Sequence, residues 1–361
     1  MTLITLHSRI HFASNILEEA LRAEVDEKRH ANAVLLCLAR QEPGELLARV
    51  EEGLMSCPRV RRHVIAPEHS RSDTAEAVLA YEAEHALDLI VAFGTAEAIA
   101  HGRTCRHAIG ARRYGARRFM AGDNVRQHQL QPDFFVIPGL GGLPDPCLES
   151  NASVSFKTMP PSVIVCDPTV IGRAEEVELA RALTLAMGRC LSVLTAETFN
   201  PLADGLAIDA LTRLCRIQLG TPAGIGTGRD QRDLMAATLN AAIALQKGPG
   251  LVETFGFSFG KSVGRDIDGA VLHRVLLARM LASTKLSNAE VIGRVLGLPA
   301  HMALPDFVDH MLQSLPLPHS LRDMNIAWDE VEQTMRFMTQ RFGTPQVGSS
   351  AELRQVLRDV F

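Results

Sequence analysis

The sequence predicts an α/β domain built on a parallel sheet, followed by an almost entirely α-helical domain. Three observations predict it. Short apolar runs alternate with helical periodicity as far as Asp167-Pro168. Beyond that pair the strand-like runs stop and helical periodicity takes over. The chain has 361 residues, more than one ordinary core holds and enough for two.

The elements follow in order. Ala33 to Leu38 is a continuous apolar run, the pattern of a strand buried on both faces. Gly44 to Met55 reads as a helix. Val64-Ile65-Ala66 is a second strand, stopped by Pro67. Ser72 to His85 is amphipathic: Ala75, Val78, Leu79 and Tyr81 lie between Asp73, Glu76, Glu82 and Glu84. Ser72 or Asp73 is the expected cap. Leu87 to Phe93 is a third strand, and Thr95 to His101 opens another helix. Phe134 to Ile137 and Val163 to Cys166 are the fourth and fifth strands, ended by Pro138 and by Asp167-Pro168. Strands and helices alternating at this spacing make right-handed βαβ units, a Rossmann-like sheet covered on both faces. Ligands of such sheets bind at the carboxyl ends of the strands.

Helical periodicity then covers 175–194, 203–219, 229–246, 271–282, 288–295, 302–315, 328–342 and 350–360. The expected domains are therefore 1–167 and 168–361.

Composition narrows the function. Hydrophobic residues make up 47% and charged residues 22%, as in ordinary soluble proteins. Lys plus Arg number 37 against 41 Asp plus Glu, a formal charge of -4, so no global basic field holds a nucleic acid. Arg112, Arg113, Arg117 and Arg118, with Arg103 and Arg106 nearby, form one local basic run. It reads as a solvated loop face, with contact to an anionic ligand or partner as the alternative. The 7 Cys fall in no C-x-x-C pair or zinc spacing, which suits reduced thiols and a cytoplasmic protein. No stretch approaches the roughly 18 apolar residues of a membrane span, and Met1 to Arg9 has no secretory pattern. There is no G-x-S-x-G, H-E-x-x-H or Walker loop.

Several local strings resemble the iron-containing alcohol dehydrogenase superfamily, with maleylacetate reductases the nearest branch by length. The family carries a strand followed by G-G-G-S-x-x-D-x-A-K, whose amides hold a dinucleotide pyrophosphate. Here the stretch is Ala92-Phe93-Gly94-Thr95-Ala96-Glu97-Ala98-Ile99-Ala100-His101. Gly94 survives, Thr95 stands for Ser, Ala98 for Asp and His101 for Lys. Phe93 is expected to put a ring where a phosphate would approach, since glycine alone leaves that space clear. A second family loop, I-P-T-T-A-G-T-G-S-E, appears as Ile137-Pro138-Gly139-Leu140-Gly141-Gly142-Leu143-Pro144-Asp145-Pro146. The Asp167-Pro168 pair and the Asn200-Pro201-Leu202 string also resemble the family's. The resemblance implies the dehydroquinate synthase-like, two-domain architecture and a homodimer. It implies NAD(P) at Gly94, Thr95, Ala96, Gly139, Leu140 and Gly142.

The metal positions depart from the family. Its D-A-L-x-H puts Asp and His four apart on one helical face; this chain has Arg181-Ala182-Leu183-Thr184-Leu185. Its G-L-x-H-x-x-x-H and P-H-G become Gly250-Leu251-Val252-Glu253-Thr254-Phe255-Gly256-Phe257 and Ile267-Asp268-Gly269. A guanidinium cannot lose its proton to bind a metal, and leucine has no donor. No catalytic metal is expected.

Arg181 is read first as a buried cation held by Glu253 and Asp268, a structural cluster worth roughly 3–5 kcal/mol against removal of one partner. The functional version has Arg181 clamp a substrate carboxylate, with Glu253 or Asp268 as general base. His273 is a candidate acid, with a core or surface histidine as the plainer reading. Three functions follow. The first is a metal-independent NAD(P)H reductase of a small keto acid or aldehyde, like maleylacetate reductase. The second is a catalytically degenerate homologue serving as sensor or complex subunit. The third is a cofactor-free hydrolase or isomerase using Arg181, Glu253, Asp268 and His273. The expected partner is a small molecule, a carboxylate among the candidates, with neither nucleic acid nor membrane.

Overall fold

The computed structural model describes residues 8–39, 44–121, 130–140, 160–171, 175–217, 228–265, 267–283, 289–343 and 350–361. The chain divides into two compact units, one taking in 5–144 and 159–173, the other most of the remainder.

The first is the sheet unit. Its elements run β1 (Arg9–Phe12), α1 (Leu17–Lys28), β2 (Asn32–Leu38), α2 (Gly44–Gly53), β3 (Arg59–Ile65), α3 (Arg71–Glu84), β4 (Leu89–Gly94), α4 (Ala96–Ala121), β5 (Asp133–Pro138) and β6 (Val163–Cys166). All six strands are parallel, in the order β1-β6-β5-β4-β2-β3. The order reverses between β2 and β4, so the crevice at their carboxyl ends is the switch point.

The central strands are apolar on both faces because helices cover both. Ala33, Leu35, Cys37, Val91, Phe93, Phe135, Ile137, Val163 and Val165 pack with Leu17, Leu21 and Val25 of α1 and Val50 of α2. On the opposite face Gly102 of α4 lets the helix settle on Phe134 and Ala92; a Cβ there would stand 2.7 Å from the Phe134 ring.

Two elements were not expected: the edge strand β1 and the helix α1. The cap of α3 is Ser70, two residues before the expected position. Its hydroxyl accepts from the Asp73 N–H, and the Asp73 carboxylate accepts from the Ser70 N–H, a reciprocal capping box.

Asp167 ends β6 and is fully buried. Its carboxylate accepts from the N–H groups of Asn15 (3.0 Å), Leu17 (3.3 Å) and Thr169 (3.0 Å), from the Thr169 hydroxyl (2.7 Å) and from Arg49 Nη2 (3.1 Å). Leu17 opens α1, whose own preceding residue, Ile16, offers no side-chain acceptor. Asp167 thus caps a helix 150 residues away in the chain.

The second is the helical unit. Its helices are α5 (Glu176–Thr195), α6 (Pro201–Leu214), α7 (Gly228–Ala244), α8 (Leu251–Val263), α9 (Gly269–Ser283), α10 (Ala289–Leu296), α11 (Leu304–Gln313), α12 (Trp328–Phe342) and α13 (Ser350–Asp359). Asn200 caps α6 through the Ala203 N–H at 3.2 Å, with Pro201 at the first helical position. The helix α8 was not expected. The helix α5 packs against α6, α7 and α9, and α8 packs on α12 and α9.

Candidate functional site

In the sheet unit, Gly94 ends β4 and lies beside Pro138, the last residue of β5. Gly94 takes φ of 120°, which side chains disfavour, and so turns the chain sharply into α4. The Gly139 N–H donates to the Gly94 carbonyl at 2.6 Å, and a Cβ at 139 would come within 3.2 Å of that oxygen. These two glycines therefore permit a close turn at the carboxyl edge of the sheet, next to the switch point. Thr95 and Ala96 open α4, and the Thr95 hydroxyl is shielded from solvent without a hydrogen-bond partner among the described residues. Leu140 is half-buried just beyond. Gly142 lies outside the described residues.

The Phe93 expectation is corrected. Its ring is turned into the sheet core beside Leu35, Phe135 and Ile137, not toward the turn. Alternation along the strand explains this, because Phe93 shares a face with Leu89 and Val91. His101, at the family's lysine position, is buried, with its Nδ1 2.8 Å from the Thr74 hydroxyl on α3. Burial, with the nearby charges of Arg71, His63 and His69, pushes its imidazole down to about 4.

The local basic run is no loop face. It lies on α4, where Arg106 donates to the carbonyls of Pro132 and Pro160, and Arg113 to that of Leu130 and to Glu82. These ties hold α4 to α3 and to the chain around β5 and β6. The side chains of Arg117 and Arg118 lie outside the described residues.

In the helical unit, the four residues that stand at the resemblance's metal positions separate into two places. Arg181 Nε meets Asp268 Oδ2 at 2.9 Å, with the two side chains 49% and 37% exposed. Leu185 lies one turn further along α5, its Cδ1 3.6 Å from where a Cβ on Gly269 would stand. Glu253 is elsewhere, in the interior. His273 Nε2 stands 3.0 Å from Glu253 Oε1, with side chains 1% and 5% exposed. The contact is close enough for strong attraction but off the ideal hydrogen-bond line. The Ser192 hydroxyl donates to Glu253 Oε2 at 3.1 Å.

The expected buried Arg181–Glu253–Asp268 cluster is therefore corrected. Among the described residues Arg181 pairs with Asp268 and not with Glu253, and water reaches both members of the pair. His273, the expected candidate acid, is buried, and so is Glu253. Burial alone would raise the Glu253 carboxyl, but the facing His273, with help from Arg189, holds it below its ordinary range.

Two glycines make room for this pair. A Cβ on Gly188 of α5 would stand 2.3 Å from His273 Nδ1, and one on Gly250 would stand 2.6 Å from the Ser192 hydroxyl and 2.7 Å from Glu253 Oε2. Gly188 and Ser192 follow Arg181 on α5 at helical spacing, and that spacing was the only local signal for them.

This donor set does not fit a catalytic metal. Its potential ligands are an arginine, a leucine, an aspartate already paired, and a glutamate turned to a histidine. Among the described residues no three His, Cys, Asp or Glu are grouped to hold a cation. Burial pushes the Cys105 and Cys166 thiols up to about 12, away from the thiolate.

Comparison with known structures decides the scaffold. An iron-containing alcohol dehydrogenase from Thermococcus thioreducens superposes over 99% of this chain and 99% of its own, with a TM-score of 0.77 at 19% identity. This chain has the fold of the iron-containing alcohol dehydrogenases. Maleylacetate reductase from Agrobacterium tumefaciens shares that fold over 100% of this chain and 97% of its own, with a TM-score of 0.72 at 17% identity. In sequence, a 4-hydroxybutyrate dehydrogenase from Cupriavidus necator is 30% identical over 191 residues, which is 48% of this chain and 48% of the relative. The match thus spans about half the length of that protein. No protein-family model matches the chain. No helix among the described residues is long and apolar enough to cross a membrane.

Proposed function

We propose that this protein is a metal-independent NAD(P)H-dependent reductase of a small keto acid or aldehyde, similar in activity to maleylacetate reductase. The observation that carries this reading is the half-exposed Arg181–Asp268 pair, at positions that the sequence resemblance aligns with the family's metal ligands. A permanently charged guanidinium there supplies positive charge without a metal. Two relatives named above act, by name, on compounds bearing carboxylates, which an arginine fork suits.

Each residue has a stated part. Asp268 engages Nε of Arg181, which leaves the two-nitrogen end of the fork to receive a substrate carboxylate. The start of α4, turned sharply out of β4 at Gly94, offers backbone amides to a pyrophosphate. A nicotinamide nucleotide bound there would supply the hydride. Glu253 and His273 touch neither ligand and hold the helices. The homodimer and the cytoplasmic setting belong to the same proposal.

The test uses metal-stripped protein, NADH and NADPH in turn, and a panel of keto acids and aldehydes. Turnover that survives chelation, with a loss of substrate affinity in Arg181→Leu, is the expected result. A thermal-shift titration runs beside it, since ligand at about 100 times Kd adds roughly 2.7 kcal/mol. Absence of both turnover and any nucleotide shift would overturn the reductase and favour a degenerate sensor or complex subunit. Turnover without nucleotide would favour the hydrolase or isomerase.

A further inference from the structure

Resting on the reading of Arg181 as the carboxylate-receiving group, we propose that His273 is a positioning residue for it. The imidazole fixes α5 against α9 and so holds the Arg181 guanidinium opposite Asp268.

The geometry has three parts. First, the His273 ring rests on the bare Cα of Gly188. A Cβ at 188 would lie 2.3, 2.4 and 2.8 Å from three ring atoms, closer than any side chain tolerates. Only glycine lets the helices meet this way, so ring and notch fit as one contact. Second, the same ring reaches a third helix. Its Nε2 faces Glu253 of α8, and Glu253 in turn takes the Ser192 hydroxyl of α5. One imidazole and one carboxylate thus join α5, α8 and α9. The pair is fully buried, so water cannot substitute for either partner without a cavity opening.

Third, the exposed pair hangs from the same two helices. Arg181 precedes Gly188 on α5 by two turns, and Asp268 immediately precedes α9, about one and a half turns before His273. Asp268 also accepts from the N–H groups of Ala270 (2.9 Å) and Val271 (3.4 Å), which ties its carboxylate to the first turn of α9. A shift of α9 along α5 therefore moves Asp268 past Arg181. The 2.9 Å contact between them depends on the buried contact that sets the register of the helices.

Neither His273 nor Glu253 touches a ligand in this scheme. Loss of His273 releases the guanidinium from its fixed orientation. The substrate carboxylate then meets a mobile fork and binds less well, while the chemical step keeps its groups.

The experiment reads Arg181 directly. Apo protein is treated with phenylglyoxal, and modification of Arg181 is followed by peptide mass spectrometry in the parent, Asp268→Asn, His273→Leu and His273→Gln. Leucine fills the ring's space without an N–H. Glutamine keeps a donor for Glu253. The expected result is faster modification of Arg181 in Asp268→Asn and in His273→Leu, by about two- to fivefold, the range open to a half-exposed ion pair. His273→Gln should restore part of the protection. In active protein, His273→Leu should raise KM for a keto acid several-fold with kcat nearly unchanged. Parent-like reactivity of Arg181 in His273→Leu overturns the proposal, and so does an Asp268→Asn variant that leaves Arg181 unaffected. If His273→Leu does not fold, Ser192→Ala carries the same measurement, and unchanged Arg181 reactivity there counts against the proposal equally. Failure of the reductase reading looks different: no keto acid is turned over, while the reactivity pattern stays as expected.

Discussion

Two side-chain pairs meet around α9, Arg181–Asp268 from α5 and Glu253–His273 from α8, and water separates their fates. Arg181–Asp268 is half-exposed, so solvent screens its attraction and would take either partner back at small cost. Glu253–His273 is enclosed, so each group depends on the other for stabilisation that water cannot provide. The exposed pair is therefore free to exchange partners with a ligand, and the buried one is not. Position in the fold decides which of two similar contacts solvent can reach and which is confined to the interior.

The sharpest way to break this comparison is to remove the buried acid. Glu253→Ala strands His273 and Ser192 in the interior and should cost about 3–5 kcal/mol in a urea titration. A loss below about 1 kcal/mol would mean that the pair is not truly enclosed.

Acid should have the next largest effect, and it acts in both units. The unfolded chain protonates His101 more readily than the folded one does, since burial holds the folded imidazole at about 4 against an ordinary 6.5. Stability is then complete above about 6.5 and falls as the pH drops toward about 4, by roughly 3 kcal/mol at most. Glu253, held below its ordinary value, adds a loss that begins only below about 4.5. Melting temperature against pH in the parent and in His101→Gln separates them. The variant should flatten the curve between 6.5 and 4 and leave the steeper fall below it. An unchanged slope would assign the acid sensitivity elsewhere.

The smallest effect is the most informative. Arg181→Leu should change stability by less than about 1 kcal/mol, as exposed pairs do. The same substitution should impair binding of a keto acid far more than it affects folding. A loss of several kcal/mol in folding would restore the idea of a buried arginine cluster and remove the contrast between the pairs.

Much of the scaffold was legible because the central strands are buried on both faces. β2, β4, β5 and β6 have no polar alternation to confuse with anything else, and the long helices declare themselves by period. The edges were harder. β3 was read only at Val64-Ile65, because Arg59, Arg61 and Arg62 stand on an exposed edge where apolar residues are not required. β1 is a four-residue edge strand with Ile10 and Phe12 exposed, too short to carry a pattern. The helix α8 was obscured by its glycines and phenylalanines, which break the expected stripe.

At the site, the pairing of Arg181 with Asp268 followed from aligned motifs. The inward turn of Glu253 did not, because its cause is a glycine on one helix and a histidine on another, remote in sequence. Local propensity carries no trace of such a contact. The same holds for Asp167, legible as a motif but not as the cap of α1.

The placement of β1 also constrains the order in which the sheet unit assembles. β1 pairs with β6 alone, Arg9 against Val163, and α1 receives its cap from Asp167. Among the described residues β1 therefore finds its strand partner only after more than 150 further residues. The intervening strands β2 to β5 can already pair among themselves. β1 is thus among the last strands to be secured, and closing that long loop is the step that topology makes slow.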